Sequence, residues 1–419
     1  MKLTVVGAGS TYTPELVSGL ARRRDSLAFD ELVLHDTDAA RLEVVGGFAR
    51  RMLDHAGVPT TLQLTTDLDA AVDSASVVLI QLRVGGQAAR LGDETFPLEC
   101  GCVGQETTGA GGLAKALRTV PVVLDVAEAV RQHAAPGAWI VDFTNPVGIV
   151  TRALLQEGHR AIGLCNVAIG FERLFAEWLG ASPDDVHLDH AGLNHLTWIR
   201  GVRLGDREVL PDLLRAHGDE IAERIELPRV LIDRLDAIPS YYLRYFYAHD
   251  EVVQELLAKG TRAAEVAAIE RELLEMYADP ALVEKPALLD QRGGAYYSEA
   301  AVALVSSLLS GDGAEHVCNV RNDGTLPFLP DDHVVEVPCR VDATGATAFD
   351  VPAFDERTRG LVAHVADYER LALDAAIHGG RTRVSDALLA HPLVGQFDLA
   401  ERLTDLLLAG NRDHLPWAP

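Results

Sequence analysis

Lys2-Leu3-Thr4-Val5-Val6-Gly7-Ala8-Gly9-Ser10 decides how the rest of the chain is read. A short run of β-favouring residues ends in two glycines one residue apart. Thr13 then stands as an N-cap before Pro14, a favoured first helical residue, and Leu16, Val17 and Leu20 fall at helical spacing. Strand, glycine turn and helix make the opening of a dinucleotide-binding unit, in which turn N–H groups and the helix N-terminus receive a pyrophosphate. Gly7, Gly9 and Ser10 are its candidate contacts, although Tyr12 occupies the place of the third glycine of the usual pattern. The next strand, Glu31 to Asp36, ends in a carboxylate. An acid there grips the ribose hydroxyls of NAD and repels the extra phosphate of NADP; the plainer alternative is that Asp36 caps the following helix.

Working outward, Thr60–Thr66, Ser76–Leu82, Ala138–Phe143 and Ala161–Leu164 read as further strands, with helical spacing between them, notably from Leu113 to Ala134. Alternating β and α units imply a parallel sheet covered on both faces. The pattern stops after Leu82. Arg83 to Gly86 and Gly101 to Gly112 are glycine-rich, with Arg90, Glu94 and Glu106 among them. This reads as a long polar loop at the carboxyl edge of the sheet, where ligands bind. Val186–Leu193 and His195–Arg200 alternate like a hairpin. Pro211 to Tyr277 is strongly helical, Arg292 to Ser298 begins another helix, Val317 to Val341 is strand and turn, and Arg357 onward is helical again. The pattern changes near residue 165. The expected architecture is therefore α/β: a Rossmann-type NAD-binding domain over 1–165 and an α+β domain over 166–419 carrying catalytic and oligomerisation surfaces.

The chemistry-bearing residues gather at strand ends. Asn145 precedes Pro146 after the Ala138–Phe143 strand, where an amide can bridge a nicotinamide ribose and a substrate hydroxyl. Cys165 and Asn166 follow the next strand, Asn194 flanks the runs of the hairpin, and His195 opens its second run. A thiol, an imidazole and several amides suit a metal and a polyhydroxylated ligand better than a packed core. Taken singly, Cys165 reads as a small buried hydrophobe and His195 as a core histidine. The tyrosines at 241, 242, 245 and 247 read mostly as core.

The 419 residues carry a formal charge of −25, which argues against nucleic acid but not against an anionic small molecule met by local arginines. No run of apolar residues is long enough for a membrane span, and Met1 leads straight into a strand, so the expectation is a cytoplasmic protein. Five scattered cysteines do not form a disulfide framework.

Gly104-Gln105-Glu106-Thr107-Thr108-Gly109, Thr144-Asn145-Pro146-Val147, Cys165-Asn166 and His195 together resemble glycoside hydrolase family 4, the NAD- and metal-dependent exception to two-carboxylate hydrolysis. The run from Arg83 to Glu94 looks like the branch acting on 6-phospho-β-glucosides. The resemblance covers essentially the whole chain and implies a fold of the lactate/malate dehydrogenase-like superfamily. It implies Mn²⁺ or another divalent metal on Cys165 and His195, Tyr242 as the base with Tyr241 as the neighbouring alternative, Glu106 tuning that network, and Arg90, Asn145 and Arg262 on substrate. Arg83 is a candidate for a 6-phosphate, a surface salt bridge being its plainer reading. Asn166 stands where α-specific members carry Asp, which favours β-glycosides. The implied reaction is transient C3 oxidation, C2 deprotonation, elimination, water addition and re-reduction; homodimers or homotetramers are the implied assembly. A lactate/malate-type dehydrogenase acting on 2-hydroxy acids is the rival, and it leaves Cys165 without a task.

Overall fold

The computed structural model describes residues 1–24, 27–293 and 296–418. The first half alternates as expected: β1 (Lys2–Val6), α1 (Thr13–Arg22), β2 (Glu31–His35), α2 (Ala39–His55), β3 (Thr61–Thr65), α3 (Leu68–Val72), β4 (Val77–Ile80), α4 (Gly86–Thr95), α5 (Gly109–His133), β5 (Trp139–Asp142), α6 (Val147–Gln156) and β6 (Ala161–Gly163). These six strands are parallel, in the order β3-β2-β1-β4-β5-β6, which is the doubly wound dinucleotide order. Leu3, Val5, Leu32, Leu34, Val77, Leu79 and Val141 are fully buried, as both-face coverage requires.

The second half extends the same sheet. After α7 (Val167–Leu179) come β7 (Val186–Leu193), β8 (Leu196–Leu204), β9 (Arg207–Glu208), β10 (Ile238–Pro239), β11 (Ala314–Arg321), β12 (Val334–Asp342) and β13 (Gly345–Ala348). β11 joins β6 in antiparallel fashion, and the order continues β11-β12-β7-β8-β10. The expected hairpin is β7 and β8, joined by the two residues Asn194 and His195. Helices cover the expected stretches, among them Leu210–Ile225, Arg262–Ala278, Tyr297–Ser310 and Glu356–His378. Of the segment expected to begin the Tyr297 helix, Gly294 and Ala295 lie outside the described residues.

The stretch read as one long polar loop contains the helix α4 and a tight 3₁₀ turn, Phe96–Cys100. Its later glycines also have a packing role. A Cβ on Gly104 would lie 1.9 Å from the Glu94 carbonyl oxygen, and one on Gly111 would lie 2.3 Å from the carbonyls of Asp93 and Gln105. Backbone therefore packs on backbone there, and Glu106 is clamped between them.

Gly163 closes the seam between the two halves. It pairs with Asn319 of β11, and a Cβ at Gly163 would lie 2.1 Å from Thr151 Oγ1, 2.8 Å from Val147 and 2.9 Å from the Asn319 Cβ. Gly163→Ala should therefore overpack the seam and destabilise the fold by about 1–3 kcal/mol, read as a lowered thermal midpoint. An unchanged midpoint would mean that the seam has slack.

Candidate functional site

The glycine turn folds back on β2. The N–H groups of Gly7 and Ala8 donate to the His35 carbonyl at 3.0 and 2.9 Å, and the Gly9 N–H donates to Asp36 Oδ2 at 2.8 Å. A Cβ on Gly9 would stand 2.8 Å from that same oxygen, so any larger residue would have to displace the Asp36 carboxylate. Asp36 is not the helix cap: Asp38 accepts from the N–H groups of Ala40 and Arg41. Thr13 is not the N-cap of α1 either. It is the first helical residue, and its hydroxyl donates to the Ala8 carbonyl at 2.8 Å, tightening the turn. Tyr12, in the third-glycine place, presents its ring edge-on to Tyr297. Ser10 Oγ accepts the Tyr12 N–H at 3.2 Å.

Glu106 is the anchor of a buried cationic cluster. It pairs with Arg83, with Arg90 at 3.3 Å and with Lys115 at 2.6 Å. Burial alone would raise its carboxyl, yet the three cations hold it well below the usual range. Burial and Arg83 push the Lys115 ammonium down to about 8. Arg90 also donates to Glu94 at 2.7 Å, and Glu94 Oε2 accepts the Ala263 N–H at 2.8 Å. One carboxylate thus ties Arg90 to the start of the helix that begins with Arg262. The Arg262 side chain itself points elsewhere here, to the Gln291 carbonyl and Glu265. A parallel clamp sits by the glycine turn, where Glu270 receives Gln87 at 2.9 Å, Arg292 at 2.8 Å and Arg41 at 3.4 Å.

Cys165 and His195 converge from different halves of the sheet. His195 sits in the turn between β7 and β8 at φ 63°, a left-handed conformation that costs a non-glycine residue about 1–2 kcal/mol. Such an outlier points to a functional constraint. Its Nδ1 lies 3.0 Å from Thr107 Oγ1, which leaves Nε2 as the other ring donor atom. The Tyr242 ring lies flat on the imidazole, with centroids 3.6 Å apart and planes 6° apart. Burial lowers His195 to about 4, so the imidazole is neutral near pH 7. Burial, with the Glu336 charge adding to it, raises the Cys165 thiol well above its ordinary range. Burial and then Cys165 and Glu106 push the Tyr242 phenol up too, against the pull of Arg90. The Asn194 amide donates to Glu336 Oε2 at 2.8 Å and also hydrogen-bonds the Cys165 sulfur.

The Asn145 Oδ1 is buried and has no hydrogen-bond partner among the described residues, which leaves an acceptor free at the end of β5. Asn166 is the N-cap of α7, adjoining Cys165. Three contributors escaped the sequence reading. Lys115 lies inside an apolar helix, Glu336 inside a strand, and Tyr297, whose hydroxyl donates to the Leu164 carbonyl at 2.8 Å, at a helix start. A fourth, Thr107, did carry a signal through its place in the Gly104–Gly109 run.

A doubly wound sheet with a neutral imidazole, a thiol and a phenol gathered near its strand ends places the chain in the doubly wound, dinucleotide-binding class. The chain belongs to the family 4 glycosyl hydrolases: the family model so described matches residues 2–181, and that of the family's C-terminal domain matches 190–394. It is 38% identical to a probable 6-phospho-beta-glucosidase of Bacillus subtilis, over 99% of this chain and 97% of that one. It is 36% identical to the 6-phospho-beta-glucosidase of Escherichia coli, over 100% and 96%. The 6-phospho-beta glucosidase of Thermotoga maritima, solved with manganese, NAD+ and glucose-6-phosphate, superposes with a TM-score of 0.93 at 35% identity over 99% of both chains. A lactate dehydrogenase from a deep-sea metagenome shares the fold alone, at 14% identity and a TM-score of 0.57. Among the described residues no helix is long and apolar enough to cross a membrane.

A thiol and an imidazole are two side-chain types that a divalent transition metal accepts. Among the described residues no group of three His, Cys, Asp or Glu side chains could hold an ion, so a cation on Cys165 and His195 needs ligand oxygens to complete it.

Asp142, at the end of β5, supplies a pH test of this edge. Burial raises its carboxyl to about 8 against the hydrogen bonds from Thr144, and its Oδ2 has no partner among the described residues. The folded value lies above the unfolded one of about 3.9, so the native state binds the extra proton and stability falls as pH rises between the two, by up to about 1.4 kcal/mol per unit. Asp142→Asn should remove that slope. Its thermal midpoint should match wild type near pH 4 and exceed it at pH 8; parallel curves would contradict the assignment.

Proposed function

We propose that this chain is an NAD- and divalent-metal-dependent glycosidase acting on 6-phospho-β-glucosides. The observation that supports the reading is Tyr242 stacked on His195, with the Cys165 charge acting on the same phenol, which groups the three residues that the reading makes base and metal ligands. The full-length likeness to 6-phospho-beta-glucosidases supports the substrate class. When bound, NAD⁺ accepts and later returns the C3 hydride, and a divalent cation such as Mn²⁺ polarises the oxygen at C3.

The chain's own residues do the rest. The turn from Gly7 to Ser10, backed by Asp36, receives the dinucleotide, and Asn145 Oδ1 accepts from a hydroxyl of the nicotinamide ribose or the sugar. Cys165 Sγ and His195 Nε2 are the protein ligands. Arg90 and Arg83, held by Glu106, bind the sugar, with Arg83 taking the 6-phosphate; Arg262 joins them only after leaving the Gln291 carbonyl and Glu265. Tyr242 takes the C2 proton. Its phenol, raised in the ligand-free protein, needs added positive charge before it can act as a base near neutrality. The proton's removal lets the aglycone leave C1, and water adds in its place. Asn166, lacking a carboxylic proton, fits a β-linked rather than an α-linked leaving group.

An aryl 6-phospho-β-glucoside should release its aglycone only with both NAD⁺ and Mn²⁺ present, be silenced by EDTA, and accumulate no NADH. Tyr242→Phe should keep ligand binding and lose deuterium exchange at C2 in D₂O. Steady NADH formation with a 2-hydroxy acid, or turnover indifferent to EDTA, would overturn the reading. Faster cleavage of the unphosphorylated glucoside would move the substrate class.

A further inference from the structure

Glu336, on β12, is fully buried at 1% exposure and lies in neither glycine-rich stretch nor any of the quoted motifs. Its Oε1 takes His190 Nε2 at 2.9 Å; its Oε2 takes Asn194 Nδ2 at 2.8 Å and Asn319 Nδ2 at 3.0 Å. A carboxylate only accepts, so His190 Nε2 is the donor of that pair. Glu336 thus meets one imidazole and two amides, where Glu106 meets three cations.

Its placement follows from sheet register. Gly163, Asn319, Glu336 and Gly192 are successive partners across four strands. Two residues beyond Gly163 is Cys165, and two beyond Gly192 is Asn194, followed by His195. The Glu336 charge acts on both Cys165 and His195, and Asn194 links it to the Cys165 sulfur. A thiolate and a neutral imidazole bring a single negative charge to a divalent cation, and a net charge left inside a protein is costly.

We propose that Glu336 is the counter-charge of the Cys165–His195 site: fixed by His190, Asn319 and Asn194, it balances the second positive charge of the bound cation and positions the Asn194–His195 turn without itself coordinating. The proposal rests on the metal reading above. It makes Glu336 a positioning residue whose contribution is its charge, where a purely structural carboxylate would matter through its shape.

The two roles separate in a pair of variants. Glu336→Gln keeps the shape and loses the charge; Glu336→Asp keeps the charge and loses the fit. Mn²⁺ is titrated into the NAD⁺-loaded protein with free Mn²⁺ read by electron paramagnetic resonance, and the metal-free thermal midpoint is recorded beside it. Glu336→Gln should weaken Mn²⁺ binding by about 10–100-fold while NAD⁺ affinity and the metal-free midpoint do not fall, and Glu336→Asp should bind Mn²⁺ more tightly than Glu336→Gln. Mn²⁺ binding by Glu336→Gln equal to wild type, or tighter than by Glu336→Asp, would overturn the proposal. Cys165→Ser is the control: if it binds Mn²⁺ as well as wild type, the metal site itself is misplaced, a result distinguishable from either outcome at Glu336.

Discussion

One row of residues across the sheet governs the rest of the molecule. Gly163, Asn319, Glu336 and Gly192 pair in sequence from the last parallel strand to the β7–β8 hairpin. Both ends are glycine because neither has room for a side chain; a Cβ on Gly192, at φ 151°, would lie 2.1 Å from the Leu196 carbonyl oxygen. Between them stand two polar residues that bond each other in the interior. A slip of one residue in this register would turn Asn319 and Glu336 to the opposite face and part Cys165 from His195. The seam between a parallel half and an added antiparallel half is therefore where the proposed centre is made.

Buried charge is handled in two ways on either side of that centre. Glu106 is neutralised by three cations, which holds Arg83 and Arg90 in place before any ligand arrives. Glu270 does the same for Arg41 and Arg292 beside the glycine turn. Removing one partner from such a cluster leaves an uncompensated charge and costs about 3–5 kcal/mol. Glu336 is held instead by one imidazole and two amides, and its charge acts on the neighbouring Cys165 and His195. The same burial that secures these groups keeps Tyr242, Cys165 and Lys115 away from their ordinary protonation ranges.

Local chemistry made much of this legible in the amino-acid order. Val6 to Gly9, the Asp36 carboxylate and the alternating strands specify a doubly wound half, because each feature depends only on near neighbours. Cys165, Asn145 and His195 were visible as polar residues at strand ends. The helix Gly86–Thr95 was hidden by its own glycines and charges, which mimic a loop. Glu336 and Lys115 were hidden for the opposite reason: each lies in an otherwise regular apolar element, and its partners are 9 to 146 residues away. The left-handed turn at His195 could not be read either, since no glycine or proline marks it.

The chain as a whole carries a formal charge of −25, yet Arg41, Arg83, Arg90, Lys115 and Arg292 are drawn together around Glu106 and Glu270. An anion arriving from solution first meets a repelling outer field and only afterwards an attracting interior. Mobile ions, with a screening length of about 8 Å at physiological strength, damp the outer field and hardly reach the interior. Moderate salt should then quicken the encounter with anionic ligands instead of slowing it, the reverse of ordinary electrostatic steering.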